Sequence, residues 1–202
     1  MPKKKKRKLT PEELEKWRLY FEEVAKKEGV SISKALAIKG WMFHEELIWL
    51  AKTARELHRI IEVGSYMGRS TIVMLDNSEA HLWCVDSWDC AYTTAPAIRK
   101  GFLENIQNQK DRVTILQMQS DEAAVQLMDL HGPNSFDMVF IDGGHGYEVV
   151  KADILDYTPL VRTGGIISGH DYSPINRPVM VAVDELLEEF EVVKTLWWKV
   201  KS

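Results

Sequence analysis

Two short stretches of this sequence each set an acid and a histidine just after an apolar run. One is Phe140-Ile141-Asp142-Gly143-Gly144-His145-Gly146-Tyr147, and the other is Gly164-Gly165-Ile166-Ile167-Ser168-Gly169-His170-Asp171-Tyr172. A single polar residue after a strand is commonplace, but two Asp/His pairs at neighbouring strand ends are not. Such a cluster can hold a divalent cation on oxygen ligands or work as a general base. Asp142, His145 and His170 are therefore the candidate catalytic residues, and Asp142 and Asp171 the candidate metal ligands. For either histidine alone, a hydrogen-bonded loop residue is the competing reading.

A second set of residues could hold a nucleoside. Ile61-Glu62-Val63-Gly64-Ser65-Tyr66-Met67-Gly68-Arg69-Ser70 reads as a strand, a tight glycine turn and a helix start. A nicotinamide dinucleotide fingerprint would need glycine where Tyr66 and Arg69 stand, so the match is weak. Glu62, two residues before Gly64, suits a ligand with a positive ammonium better than a pyrophosphate. Asp86 follows Gly64 by 22 residues, the distance at which a carboxylate meets ribose hydroxyls. Gln119-Ser120-Asp121-Glu122 then offers polar groups for an adenine edge, although a helix N-cap explains Ser120 nearly as well.

These residues need a scaffold, and the apolar pattern supplies one. Thr10-Pro11-Glu12-Glu13 reads as a capping box opening a helix that Gly29 stops, and a second helix is expected at about 43–57. From residue 58 short apolar runs alternate with helical stretches. The runs are 59–63, 81–85, 113–116, 136–141 and 165–168; the helices are expected at about 69–77, 96–109, 121–130, 147–161 and 179–190. Runs that are apolar throughout belong to a parallel sheet covered on both faces. Residues 191–194 and 196–200 read as a closing antiparallel pair. The expected layout is a basic disordered tail (1–9), a helical extension (10–57) and an α/β domain (58–202).

At 202 residues, with 45% hydrophobic and 28% charged, the chain has the balance of one globular domain. No apolar run approaches the roughly 18 residues that cross a bilayer. The start of the chain lacks the apolar core of a secretory signal, so a cytoplasmic location is expected. Of 26 basic residues, six fall in the first eight positions, leaving 20 against 30 acidic residues. An acidic body argues against a nucleic-acid partner, and a small-molecule one is expected instead; a homo-oligomer stays open. Cys84 and Cys90 read as buried free thiols.

The order E-V-G-x-x-x-G-x-S, V-D-S-W, F-I-D-G-x-H-x-Y and G-G-x-x-x-x-H-D-Y resembles the class I S-adenosylmethionine-dependent methyltransferases over about residues 40–200. Within that class it is similar to the branch called methyltransferase family 24, whose relatives include metal-dependent sugar and catechol-type O-methyltransferases. The resemblance implies a doubly wound, Rossmann-like α/β fold with a seven-stranded, mostly parallel sheet in the order 3-2-1-4-5-7-6. It further implies that Glu62, Gly64, Ser65 and Gly68 hold the methionine part of the cofactor, and Asp86 the ribose. Trp88 and Ser120 would then surround the adenine, with Asp142 beside the cofactor. In metal-dependent relatives an Asp after the fourth strand and an acidic pair after the fifth bind Mg2+. Here Asp142 and Asp171 match that pattern and His170 takes the remaining place, so a metal and a histidine mechanism both stay open. The implied activity is O-methylation of a small hydroxylated acceptor. The alternatives are a non-catalytic S-adenosylmethionine-binding module and, disfavoured by the glycine spacing, a nicotinamide-dependent oxidoreductase.

Overall fold

Helix α1 (Pro11–Lys27) opens with the expected capping box. The Glu13 amide donates to Thr10 Oγ1 at 3.2 Å, and the Thr10 amide donates to Glu13 Oε2 at 2.8 Å. The computed structural model describes residues 10–89 and 95–202, so the basic tail and Cys90 lie outside the described residues. A short helix not expected from the sequence, α2 (Ser33–Ala37), and then α3 (His44–Ala54) complete the extension.

Strands and helices alternate from there: β1 (Arg59–Val63), α4 (Arg69–Asp76), β2 (His81–Val85), α5 (Ala95–Ile106), β3 (Val113–Leu116), α6 (Ser120–His131), β4 (Phe136–Ile141), α7 (Tyr147–Tyr157), β5 (Val161–Gly169) and α8 (Arg177–Leu186). The hairpin of β6 (Glu191–Val193) and β7 (Leu196–Val200) ends the chain. The seven strands form one sheet in the expected order, β3-β2-β1-β4-β5-β7-β6. Strands β1 to β5 pair in parallel, and β7 runs antiparallel to both neighbours.

α3 and α5 each end about three residues earlier than expected, and the two larger departures have local reasons. β5 begins at Val161, not 165, because α7 gives way to a single 3-10 turn, Thr158–Leu160, that contains Pro159. Lys201 then extends the ladder, exchanging backbone hydrogen bonds with Gly164 and Gly165. α8 stops at Leu186, and Leu187 turns extended, yet Leu187 and Phe190 still pack inward. Their apolar spacing served packing rather than helix.

Each face of the sheet carries its own core. Ile72, Met74 and Phe102 pack on one face with Leu47, Leu50 and Ala51 of α3, joined by Ala25, Ile32 and Ala35 from the rest of the extension. Leu127, Ile154, Tyr157, Val179 and Val183 pack on the other. The extension therefore completes one layer of the fold. Leu47 and Leu50 are fully buried, and each contributes about 1.5–3 kcal/mol relative to exposure. Cys84 lies in this core as a free thiol. No helix among the described residues is long and apolar enough to cross a membrane.

The pairing register aligns the strand ends. Leu116, Val85, Val63, Ile141 and Gly169 form one row across β3, β2, β1, β4 and β5. The residues that follow four of them (Asp86, Gly64, Asp142 and His170) therefore leave the sheet along a single carboxyl edge.

Candidate active site

Gly64 shows why that edge can form a site. It sits at φ +88°, and a Cβ there would collide with the Asp142 carbonyl and lie 2.6 Å from the Gly143 amide nitrogen. Only glycine lets the β1 loop run this close to the β4 loop. Gly68, at φ +84°, turns the chain into α4. Five non-glycine residues among those described have positive φ, and three of them (Tyr66, Trp88 and Asp171) stand at this edge. Backbone held in that region is costly and tends to cluster at functional sites.

Asp86 joins the β1 and β2 loops. Its Oδ2 accepts from the Tyr66 amide at 2.7 Å, and its Oδ1 accepts from the Trp88 amide at 2.6 Å. Burial pushes its pKa up, and those amide bonds oppose the shift. Other residues expected around the cofactor brace the loop from beneath. Glu62 is fully buried, and its Oε2 accepts from Ser65 Oγ at 2.6 Å and Thr71 Oγ1 at 2.5 Å. Burial also pushes the Glu62 carboxyl and the neighbouring Cys84 thiol upward. Ser65 is 2% exposed and Trp88 3%, with the Trp88 indole donating to the Tyr66 carbonyl at 2.8 Å. The side chains of Glu62, Ser65 and Trp88 thus shape the loop, whereas Gly64, Tyr66 and Asp86 keep access to the cleft. Ser120 is the first residue of α6, with Gln119 as N-cap; its hydroxyl bonds to Asp153 and its carbonyl accepts from Tyr157 Oη at 2.7 Å.

At the catalytic end the structure brings Asp142, His145, His170 and Asp171 together and adds a residue the sequence reading missed. Glu46, in the first turn of α3, is fully buried. Its Oε1 accepts from the Thr195 amide at 2.8 Å and from Thr195 Oγ1 at 2.7 Å. Its Oε2 accepts from the Phe43 amide at 2.6 Å and lies 2.9 Å from His170 Nε2. The other ring nitrogen, His170 Nδ1, faces Asp142 Oδ1 at 3.4 Å and Asp171 Oδ2 at 3.5 Å. His145 Nε2 meets Asp171 Oδ2 at 2.8 Å, and the Asn176 amide donates to Asp171 Oδ1 at 2.7 Å.

The two histidines differ in character. The His145 side chain is 52% exposed; its bond to Asp171 raises its pKa against an opposing effect of burial. The His170 side chain is only 4% exposed. Burial alone would lower its pKa, but the carboxylates of Asp142, Asp171 and Glu46 around the ring push it up to about 12. Its carboxylate neighbours thus favour the charged imidazolium over the neutral form that a base requires. Asp171 shows the reciprocal effect: burial would raise it, but His145 and His170 hold it well below the usual carboxylate range.

Glu46 left one trace in the sequence. It falls at helical spacing with Leu50 and Ala54, an acid inside the buried stripe of α3. Two surface hollows elsewhere, one lined by Pro11, Glu15 and Leu19 and one by Arg55, Asn77 and Arg112, do not include any of these residues.

Comparison with known proteins adds three findings of different weight. The sequence profile of a family described as "Methyltransferase domain" matches residues 61–172, more than half of the chain. An uncharacterised protein of Acanthamoeba polyphaga mimivirus is 27% identical over 176 residues, covering 82% of this chain and 79% of its own. Among solved structures, a candidate caffeoyl-CoA O-methyltransferase from Staphylococcus aureus superposes with TM-score 0.63 at 15% identity, covering 92% of each chain. CalS11, a TDP-rhamnose 3'-O-methyltransferase of calicheamicin biosynthesis, superposes with TM-score 0.60 at 12% identity over 96% of each chain. At such identities the likeness to the solved structures is one of fold.

Proposed function

The chain belongs to the methyltransferase domain family, and from that premise we propose that it transfers the methyl group of S-adenosylmethionine to a hydroxyl of a small acceptor. The observation that carries this reading is the contact of the Gly64 turn with Asp142 and Gly143 of the β4 loop, the loop that also bears His145, the partner of Asp171; this supports a nucleoside site next to a base. The oxidoreductase alternative falls with the family assignment.

The residues fit the cofactor. The missing Cβ of Gly64 lets the β1 loop abut the Asp142–Gly143 backbone, and the Gly64–Met67 segment would carry the methionine part, with Glu62 and Ser65 bracing it from below. The Asp86 carboxylate receives amide hydrogens from Tyr66, Trp88 and Ser65, which leaves acceptor capacity for a ribose hydroxyl. When bound, S-adenosylmethionine supplies a methyl on a sulfonium, open to in-line attack.

An ionised Asp171 only accepts hydrogen bonds, so His145 carries its proton on Nε2 and exposes a lone pair on Nδ1. There it would take the acceptor's hydroxyl proton as that oxygen attacks the sulfonium methyl, with S-adenosylhomocysteine as the leaving group. Asp171, fixed by Asn176, orients the base. Asp142 and Asp171 also fit a divalent cation, since with His170 they place three ligand atoms within 4.8 Å of one another. A cation held there would lower the acceptor's pKa. The acceptor's body would find apolar surface on Trp41, Phe43 and Ile175, which are 74%, 52% and 93% exposed. Trp41 leans on Tyr66 with ring centroids 5.3 Å apart, Phe43 adjoins the Glu46 contact, and Ile175 precedes Asn176.

The test is transfer of labelled methyl from S-adenosylmethionine to a panel of catechol and sugar hydroxyls. Transfer is expected, and His145→Ala should lower it about 10²- to 10⁴-fold while cofactor affinity holds. Tight cofactor binding without transfer to any acceptor would instead favour the non-catalytic module.

A further inference from the structure

We propose that Glu46 is a positioning residue that makes His170 a nitrogen ligand, so that the site selects a first-row transition ion over magnesium. This rests on the reading above that Asp142 and Asp171 hold a divalent cation. Two independent features of His170 carry it.

The first is the spacing around Nδ1. At 3.4 and 3.5 Å, its distances to Asp142 and Asp171 exceed the roughly 2.7–2.9 Å of a charge-assisted hydrogen bond. They instead match the edges of a coordination polyhedron whose metal–ligand bonds are about 2.1 Å, because ligands 90–109° apart then lie about 3.0–3.4 Å from one another. His145 Nε2 and His170 Nε2, by contrast, sit at ordinary bonding distances of 2.8 and 2.9 Å from their carboxylates. The long separations are thus confined to the two carboxylates that face His170 Nδ1.

The second is the support behind the ring. A ligating imidazole is characteristically held through its other nitrogen by a carboxylate, which fixes tautomer and orientation. Glu46 occupies that place. Four hydrogen-bonding groups, including Thr195 and the Phe43 amide, hold its carboxylate in the buried first turn of α3. Donation from His170 Nε2 to Glu46 leaves the Nδ1 lone pair pointing at the carboxylates once an ion takes the place of the proton. Magnesium takes hard oxygen ligands and tolerates nitrogen poorly, whereas imidazole favours transition ions. The extension thereby sets the metal preference of a site built on the sheet.

The experiment is Mn2+ binding to the full chain, followed by electron spin-echo spectroscopy and by competition with Mg2+. The wild type should bind Mn2+ at least tenfold more tightly than Mg2+ and show nitrogen modulation from one imidazole. That modulation should persist in His145→Ala and vanish in His170→Asn. Glu46→Gln should weaken Mn2+ about 10- to 100-fold and Mg2+ little. Should Glu46→Gln fail to fold, Thr195→Val, which removes one support of Glu46, should lower Mn2+ affinity in the same direction. Mn2+ bound without nitrogen modulation, or equal affinities for the two ions, would overturn the nitrogen-ligand assignment and leave an oxygen-only site standing. No binding of either ion would remove the metal reading itself.

Discussion

Asp86 accepts amide hydrogens from Tyr66 and Ser65 of the β1 loop and from Trp88 of its own β2 loop, so its carboxylate clasps the two loops together. Asp86→Ala should cost about 1.5–3 kcal/mol of cofactor binding, a tenfold to hundredfold loss by equilibrium dialysis. Unchanged affinity in the folded variant would contradict the ribose assignment. Which residues face the cleft and which brace it was only partly legible. Residue type and strand position pointed to Asp86, Asp142, His145 and Asp171, since acids and histidines after strands announce themselves. The distinction between His145 and His170 did not, because it depends on Glu46 and Thr195, which lie 124 and 25 residues from His170 in sequence. Glu62 and Trp88 were drawn toward the cofactor by motif alone; their burial is a property of the packed loop.

The elements that carry these residues were read more fully, because the apolar runs of a covered parallel sheet are continuous and the turns between them glycine-rich. What periodicity could not give was where a helix yields to another conformation that packs equally well, a 3-10 turn at Thr158 and extended chain at Leu187. α6 and α7 show a further consequence of such packing. Asp153 of α7 is 2% exposed and bonded to Ser120, and its Oδ2 has no partner among the described atoms. Burial, reinforced by Asp156 and Asp121, pushes it from 3.8 to about 6. A folded pKa above the unfolded one means that the folded state binds the proton more tightly. The contribution of Asp153 to stability is therefore complete below about pH 4 and lost as pH rises through about 6. Asp153→Asn should keep the Ser120 bond and remove that dependence. It should raise stability at pH 7–8 by on the order of 2–3 kcal/mol, with little gain at pH 4, as read by urea unfolding across that range. A variant no more stable at pH 8 than the wild type would contradict the buried-carboxyl account.

At the scale of the whole molecule, one layer of helices comes largely from the extension, and the same extension delivers Glu46 to His170 at the carboxyl edge of the sheet. Fold and site are thus linked through α3, a dependence that the division into extension and domain had hidden. The basic tail should stand outside this linkage, since it has no apolar periodicity before Leu9. A chain begun at Leu9 should keep its melting temperature and cofactor affinity, and a fall in either would show that the tail docks on the body. The account as a whole turns on what occupies the edge where Gly64, Asp86 and Asp142 leave the sheet. Calorimetric titration of the full chain with S-adenosylmethionine, and separately with NAD, tests this most directly. Saturable one-to-one binding of S-adenosylmethionine with no heat from NAD is the predicted result; no binding of S-adenosylmethionine, or binding of NAD in its place, would contradict it.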